Sequence, residues 1–217
     1  MLALNGVQLQ GRLADINLRA EGGQSIHVLG ANGAGKSSLL SAIAGVLDID
    51  GGAIILKDKP LTDYSLASLA NQRSLQTQQQ WTAFDLTVAE SLQFSQPASQ
   101  LPDELEIALE ISQFLSRKVN ALSGGESRRV HLARTFLQVW PMLEKGQGIV
   151  LLDEPTQGLD FRHQHLLFEL IGKLTARGNL VITSHHDLNL AYRYASHVWL
   201  LRDGHCLYQD NPVTCMS

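Results

Sequence analysis

The chain has 217 residues, of which 44% are hydrophobic, and a formal net charge of −4. That length supports one packed domain, and the acidic balance leaves no broad basic footprint for nucleic acid. Cys206 and Cys215 stand in no metal-binding or redox spacing and fit a reducing compartment. No basic-then-apolar leader opens the chain, and no apolar run approaches the roughly 20 residues of a membrane helix. If the protein acts at a membrane, another chain must cross it.

In chain order, Val7 to Leu9, Ile16 to Ala20 and Ala53 to Lys57 read as strands joined by Gly and Asp turns. Between the second and third of these, Gln24 to Leu29 reads as a short strand, with Ile26 and Val28 on one face. Ser37 to Leu47 reads as a helix, with Leu39, Ile43 and Leu47 in register. From about Trp81 to Trp140 strand signals fade. After the polar link Ser95 to Gln100, Leu101, Leu105, Ala108, Leu109, Ser112 and Leu115 keep helical spacing. The aromatic residues Trp81, Phe84, Phe94 and Phe114 read as core of this helical segment. Ile149 to Leu152 and Leu180 to Ile182 are continuous apolar runs, as parallel strands buried on both faces require. Helical spacing from Arg162 to Ala176 lies between them, and Val198 to Leu207 closes the pattern as a hairpin. His163 and His165 fall at i and i+2, which share no helix face, and read as surface residues. His185 reads as structural.

The chemistry starts at Gly30-Ala31-Asn32-Gly33-Ala34-Gly35-Lys36-Ser37, followed by Ser38, between the predicted strand and helix. Glycines there admit backbone angles closed to other residues, so successive N–H groups can curl around a phosphate. The helix N-terminus adds partial positive charge. Lys36 brings a full charge for terminal phosphates, and the Ser37 hydroxyl can ligate Mg²⁺. Asp153 and Glu154 stand at the end of an apolar strand, where open α/β sheets bind ligands. One carboxylate can hold Mg²⁺ and the other can polarise an attacking water.

These segments, with others in fixed order, make the chain resemble the nucleotide-binding subunits of ATP-binding cassette (ABC) transporters over essentially its whole length. Gly30 to Ser37 matches Walker A, and Gln78 the Q-loop. Leu122-Ser123-Gly124-Gly125-Glu126 matches the LSGGQ signature with Glu for Gln. Ile149 to Glu154 matches Walker B, Pro155 to Asp160 the D-loop, and His186-Asp187-Leu188 the switch histidine. The resemblance implies an α/β P-loop fold with a mixed, mainly parallel sheet, an N-terminal antiparallel β-subdomain and an inserted helical subdomain. It implies one domain over 1–217: residues 1–79 and 141–217 form the core and β-subdomain, and residues 80–140 the helical subdomain that carries the signature helix.

It implies Mg²⁺ with ATP as the ligand, held by residues 30–38, with Ser37, Gln78 and Asp153 toward the metal. Glu154 is then the general base, His186 its positioning partner and γ-phosphate ligand, and Gln78 the sensor that relays nucleotide state. Ser123, Gly124, Gly125 and Glu126 act in trans on the ATP of a second copy, and Asp160 reaches across that dimer. The implied partners are a second copy of the chain, two polytopic permease subunits and, indirectly, a periplasmic substrate-binding protein. The implied place is the cytoplasmic face of the bacterial inner membrane. Gln79 to Phe84, above all Trp81 and Phe84, are the expected contact with the permease.

Two departures stand out. Such subunits stack adenine on an early aromatic residue, and here none precedes Tyr64. Many of them also continue with one or two helices after the final hairpin, whereas this sequence ends at Ser217. The long spacing from Ser123 to Asp153, the Gln78-Gln79-Gln80 run, the Glu126 variant and Ser184-His185-His186-Asp187-Leu188-Asn189 are similar to ATPase subunits of cobalamin importers. Importers of iron–siderophore or haem share the architecture. A soluble ABC ATPase of DNA repair or translation fits less well, because the chain has no long coiled-coil insertion and one cassette only.

Overall fold

The computed structural model describes residues 1–78, 85–95 and 101–212. The expectations for Gln79, Gln80, Trp81, Phe84, Cys215 and most of the polar link before Leu101 lie outside the described residues.

Two sheets organise the chain. β1 (Leu2–Leu9), β2 (Leu13–Ala20), β4 (Gly51–Leu56) and β5 (Lys59–Pro60) form an antiparallel sheet in the order β2-β1-β4-β5. On β2 the alternating Ile16, Leu18 and Ala20 are buried while their neighbours meet solvent, the signature of a sheet with one wet face. The second sheet has β3 (Ser25–Leu29), β6 (Arg73–Gln76), β7 (Ile149–Asp153), β8 (Leu180–Ser184), β9 (His197–Arg202) and β10 (His205–Asp210), in the order β10-β9-β3-β8-β7-β6. All its neighbours are parallel except the β9–β10 hairpin. This is the expected mixed sheet with its antiparallel companion.

β3, β7 and β8 are buried on both faces, with Ile149 to Leu152 and Leu180 to Ile182 as continuous apolar runs, and the two faces feed two cores. Ile149, Leu151 and Ile182 pack with Leu39, Leu40 and Ile43 of α1 (Lys36–Ile43) and with the antiparallel sheet. Val150, Leu152 and Val181 face the other way, onto α5 (Gly124–Gln138) and α7 (Phe161–Ala176) through Leu132, Phe136, Leu167 and Ile171. The same second core takes in α3 (Val88–Gln93), α4 (Asp103–Leu109) and α6 (Trp140–Glu144). The remaining helices are α2 (Leu66–Gln72), capped by Ser65, and α8 (Leu188–Tyr194), capped by Asp187.

Four expectations are corrected. α1 ends at Ile43 rather than Leu47, because Gly45 takes φ 61° and turns the chain; Leu47 still packs on the core. The middle helix stops at Leu109 rather than running to Leu115. Glu110 adopts φ 47°, and the Glu106 carboxylate accepts the N–H groups of Ile111 (3.1 Å) and Ser112 (3.0 Å), which satisfies the turn. Phe114 is buried in the following 3-10 turn as expected, but Phe94 is 74% exposed. α3 buries Val88, Ser91 and Leu92, and Phe94 is the C-cap where the helix has already ended. His163 is buried rather than superficial, for reasons tied to the candidate site. His165 is exposed, and His185 is fully buried.

Candidate functional site

Residues 30–35 leave the carboxyl end of β3 and deliver the chain into α1. Gly35 is the N-cap at φ 102°, and a Cβ there would lie 2.7 Å from the Arg12 carbonyl oxygen, so the loop's approach to the β1–β2 turn requires glycine. Lys36 is largely buried, and its ammonium donates to the carbonyls of Gly30 (2.7 Å) and Ala31 (3.1 Å). A cavity of ≈ 370 Å³ opens above the loop. Asn32, Gly33, Gly35, Lys36, Ser37 and Ser38 line it together with Gln78 just after β6, Asp153 at the end of β7 and Glu154 after it, and with Gly11 and Arg12. The structure thus gathers at one place the loop, both carboxylates and the Q-loop glutamine.

Asp153 is held by a short hydrogen bond from the Ser184 hydroxyl of neighbouring β8. Glu154 adopts φ 48°. Its N–H donates to both the carbonyl and the hydroxyl of Ser184, each at 3.1 Å, which fixes the turn at the strand end. Its carboxylate is 13% exposed and lies 3.3 Å from His186 Nδ1, while the His186 side chain is 74% exposed. A second cavity of ≈ 330 Å³ adjoins this side, lined by Asn32, Gln78, Glu154, Gln157, His185 and His186 among others. Gln78 Nε2 donates to Gln157 Oε1 at 3.3 Å. Behind His186 the ring of His185 makes a 2.7 Å hydrogen bond to His27 on β3, and both rings are buried. Burial pushes His185 down to about 4 and His27 well below its ordinary range.

The signature segment lies elsewhere. Ser123 caps α5, with Glu126 returning the bond: the Ser123 hydroxyl accepts Glu126 N–H (3.4 Å) and the Glu126 carboxylate accepts Ser123 N–H (2.7 Å). That backbone bond, then the Arg117 guanidinium at 2.9 Å, hold Glu126 down to about 2. The cap therefore works with Glu in place of Gln. A Cβ at Gly125 would lie 2.8 Å from the Gly158 carbonyl oxygen, so the first turn of α5 sits directly on the D-loop. Among the described residues, neither Ser123, Gly124, Gly125 nor Glu126 lines the phosphate-loop cavity. Asp160 caps α7 by accepting His163 N–H (2.8 Å), and also meets the His163 ring at Nδ1 (2.9 Å). Nε2 of that ring meets Arg129 (3.0 Å) and Glu110 (3.3 Å). This cluster buries His163 where helix α7 crosses α4 and α5.

Sequence reading missed Arg128. From the second turn of α5 it donates to the carbonyls of Asp153 (2.9 Å), Glu154 and Pro155 (3.4 Å) and is 8% exposed. Burial lowers its pKa against the opposing pull of Asp153 and Glu154. A visible signal existed: Arg128 and Arg129 precede Val130, Leu132, Ala133 and Phe136 on a helix otherwise destined for the core.

A parallel sheet with a glycine-rich loop at its carboxyl edge, a lysine on the loop and paired carboxylates on a nearby strand define a P-loop ATPase. The family model described as ABC transporter matches residues 13–157, and the chain belongs to that family as an ATP-binding, ATP-hydrolysing subunit. It is 38% identical over 222 residues to Vitamin B12 import ATP-binding protein BtuD of Photorhabdus laumondii, covering 100% of this chain and 87% of that protein. It is 39% identical over 223 residues to the protein of the same name from Yersinia pseudotuberculosis, covering 100% and 88%. Among solved structures, an ATP-binding subunit of an ABC transporter superposes with TM-score 0.84 at 23% identity, over 97% of this chain and 90% of that one. The dimeric structure of a bacterial ABC transporter cassette gives 0.81 at 22%, over 98% and 99%. At that identity the structural neighbours speak for the fold. Among the described residues, no helix is long and apolar enough to cross a membrane.

Proposed function

We propose that this chain powers uptake of cobalamin, as one of two ATPase subunits docked on a separate membrane permease with a periplasmic binding protein as its supplier. The substrate rests on the relatives named for vitamin B12 import, which align with the whole chain. The single structural observation that carries the ATPase chemistry is the convergence of Lys36, Asp153, Glu154 and Gln78 on one cavity.

In this reading the backbone N–H groups of residues 30–38 cradle the phosphates, and the Lys36 ammonium leaves the Gly30 and Ala31 carbonyls for the terminal phosphates. Ser37, Gln78 and Asp153 fit Mg²⁺, being a hydroxyl, an amide and a carboxylate on the same wall. Mg²⁺ held by these residues would neutralise negative charge on the terminal phosphates. Glu154 takes a proton from the attacking water, or orients it. His186, beside that carboxylate, holds it in place and donates to the γ-phosphate. The signature lies outside this cavity, which supports its service to a second copy. There Ser123 and the N–H groups of Gly124 and Gly125 meet the γ-phosphate at a helix start, with Asp160 nearby across the interface. ATP then joins the dimer and hydrolysis releases it.

Reconstitution in vesicles with a candidate permease and binding protein tests the proposal. ATP-driven cobalamin uptake that disappears with Glu154→Gln is expected. Uptake of an iron chelate or haem, with none of cobalamin, would overturn the substrate and leave the ATPase mechanism in place.

A further inference from the structure

We infer that Arg12 forms the nucleobase end of the site and lays its guanidinium plane on the purine of the bound nucleotide. This rests on the nucleotide reading above and extends it. The sheet order sets the direction of the site. The phosphate loop follows central β3, and Asp153 and Glu154 lie beyond β8 on one side. On the other side is the β9–β10 turn, to which the β1–β2 turn is bonded: Ala14 N–H donates to the Gly204 carbonyl (2.8 Å), and Gly204 N–H to the Ala34 carbonyl (3.2 Å). The Arg12 carbonyl lies within 2.7 Å and 2.8 Å of the Cβ positions that Gly35 and Gly204 lack. The backbone of Arg12 is thus fixed against the first turn of α1, at the end of the ≈ 370 Å³ cavity away from the carboxylates. With terminal phosphates at the Glu154 end, the ribose and base extend toward Arg12.

Among the described residues no aromatic side chain lines that end of the cavity. None precedes Tyr64 in the sequence, and none of the residues lining this cavity is aromatic. Tyr64 is occupied elsewhere: its hydroxyl donates to the Leu56 carbonyl at 2.7 Å, and it lines a different cavity, beside α2. Arg12 offers the alternative. A guanidinium is planar, delocalised and weakly hydrated, and it stacks on aromatic faces and on nucleobases. Among the described residues no ion pair or side-chain hydrogen bond competes for it. Every base presents a π-face, so stacking of this kind distinguishes bases weakly. ATP and GTP should therefore bind within about tenfold of each other.

Calorimetric titration of the full chain with ATP, GTP and inorganic tripolyphosphate, each with Mg²⁺, tests this. Arg12→Ala should weaken ATP and GTP alike by roughly tenfold or more and leave tripolyphosphate unchanged. Arg12→Trp should restore nucleotide binding, and Arg12→Lys, with charge but no plane, should resemble Arg12→Ala. Equal weakening of tripolyphosphate, or wild-type affinity in Arg12→Lys, would assign Arg12 to phosphate charge and overturn stacking. Unchanged ATP affinity in Arg12→Ala would overturn any role. Wild-type protein that binds tripolyphosphate but gains nothing from the nucleoside would overturn the inference and spare the phosphate site. Wild-type protein that binds neither would remove the nucleotide reading itself.

Discussion

Glu154 holds a left-handed backbone, φ 48°, which for a non-glycine residue costs on the order of 1–3 kcal/mol. Its surroundings over-determine that conformation: Ser184 accepts its N–H twice, and Arg128 donates to its carbonyl. Glu154→Gln should keep this backbone and remove the proposed base. Hydrolysis should fall about 10²–10⁴-fold with ATP binding intact, measured by phosphate release and nucleotide titration. Arg128→Met should unsettle the turn itself, by leaving buried carbonyls without a donor at about 1–3 kcal/mol. Urea unfolding should register that loss, and turnover should fall more than ATP affinity, because Lys36 is untouched. Wild-type turnover in Arg128→Met would show that the Walker B turn needs no clamp. The buried histidines predict a pH effect. His185 and His131 are both held down to about 4 by burial, with nearby positive charge also lowering His131. The unfolded chain binds these protons at higher pH than the folded one does. Stability is therefore complete above the ordinary value of about 6.5 and is lost as pH falls toward 4. Urea midpoints should decline as pH falls from about 7 to about 4.5, and His131→Leu should flatten that slope because it removes one of the two titrating rings.

At the scale of elements, α5 joins two jobs. Its N-terminus carries the signature Ser123, and its second turn carries Arg128, which grips the end of β7. The start of the same helix rests on Gly158 of the D-loop, whose Asp160 caps α7. A shift of α5 would therefore move the Glu154 backbone and the D-loop together. Ser123→Arg should block hydrolysis while costing only the helix cap, about 0.5–2 kcal/mol. Mixed with Lys36→Ala, it should regain turnover in heterodimers, each with one intact composite site. Equal loss of nucleotide binding in isolated Ser123→Arg would argue that the signature acts in cis. Glu126→Gln should keep the cap, since an amide oxygen can accept Ser123 N–H, and should keep hydrolysis while giving up the Arg117 pair.

At the scale of the molecule, the central sheet serves two cores, and the alternation within β7 assigns them: Ile149 and Leu151 to one, Val150 and Leu152 to the other. The helical middle of the chain shares its core with the Val150 and Leu152 face of the sheet, on the strand that ends at Asp153. Nucleotide state at the carboxyl edge can thus reach those helices through packed side chains rather than a flexible link. In this picture ATP converts Glu154→Gln into a stable dimer. Light scattering should give a doubled mass with ATP and a single mass without it. A variant that stays monomeric with ATP under these conditions would separate binding from dimerisation.

The sequence by itself determined the strands, the loop and the order of the motifs. Period, apolar runs and glycine positions are local properties, and Gly30 to Ser37 needs only its own backbone to curl around a phosphate. It also showed that no Phe, Tyr or Trp precedes Tyr64. The tertiary structure alone decided where the middle helix stops, because Glu106 bonds a turn rather than prolonging the helix. It decided that Phe94 is outside and His163 inside, since burial depends on which neighbours arrive. It brought Arg128 to the carbonyls after β7 and Arg12 to the loop after β3. Both contacts join segments far apart in the chain. No spacing rule encodes them, and only the packing of α5 on the sheet and of one sheet beside the other places those side chains.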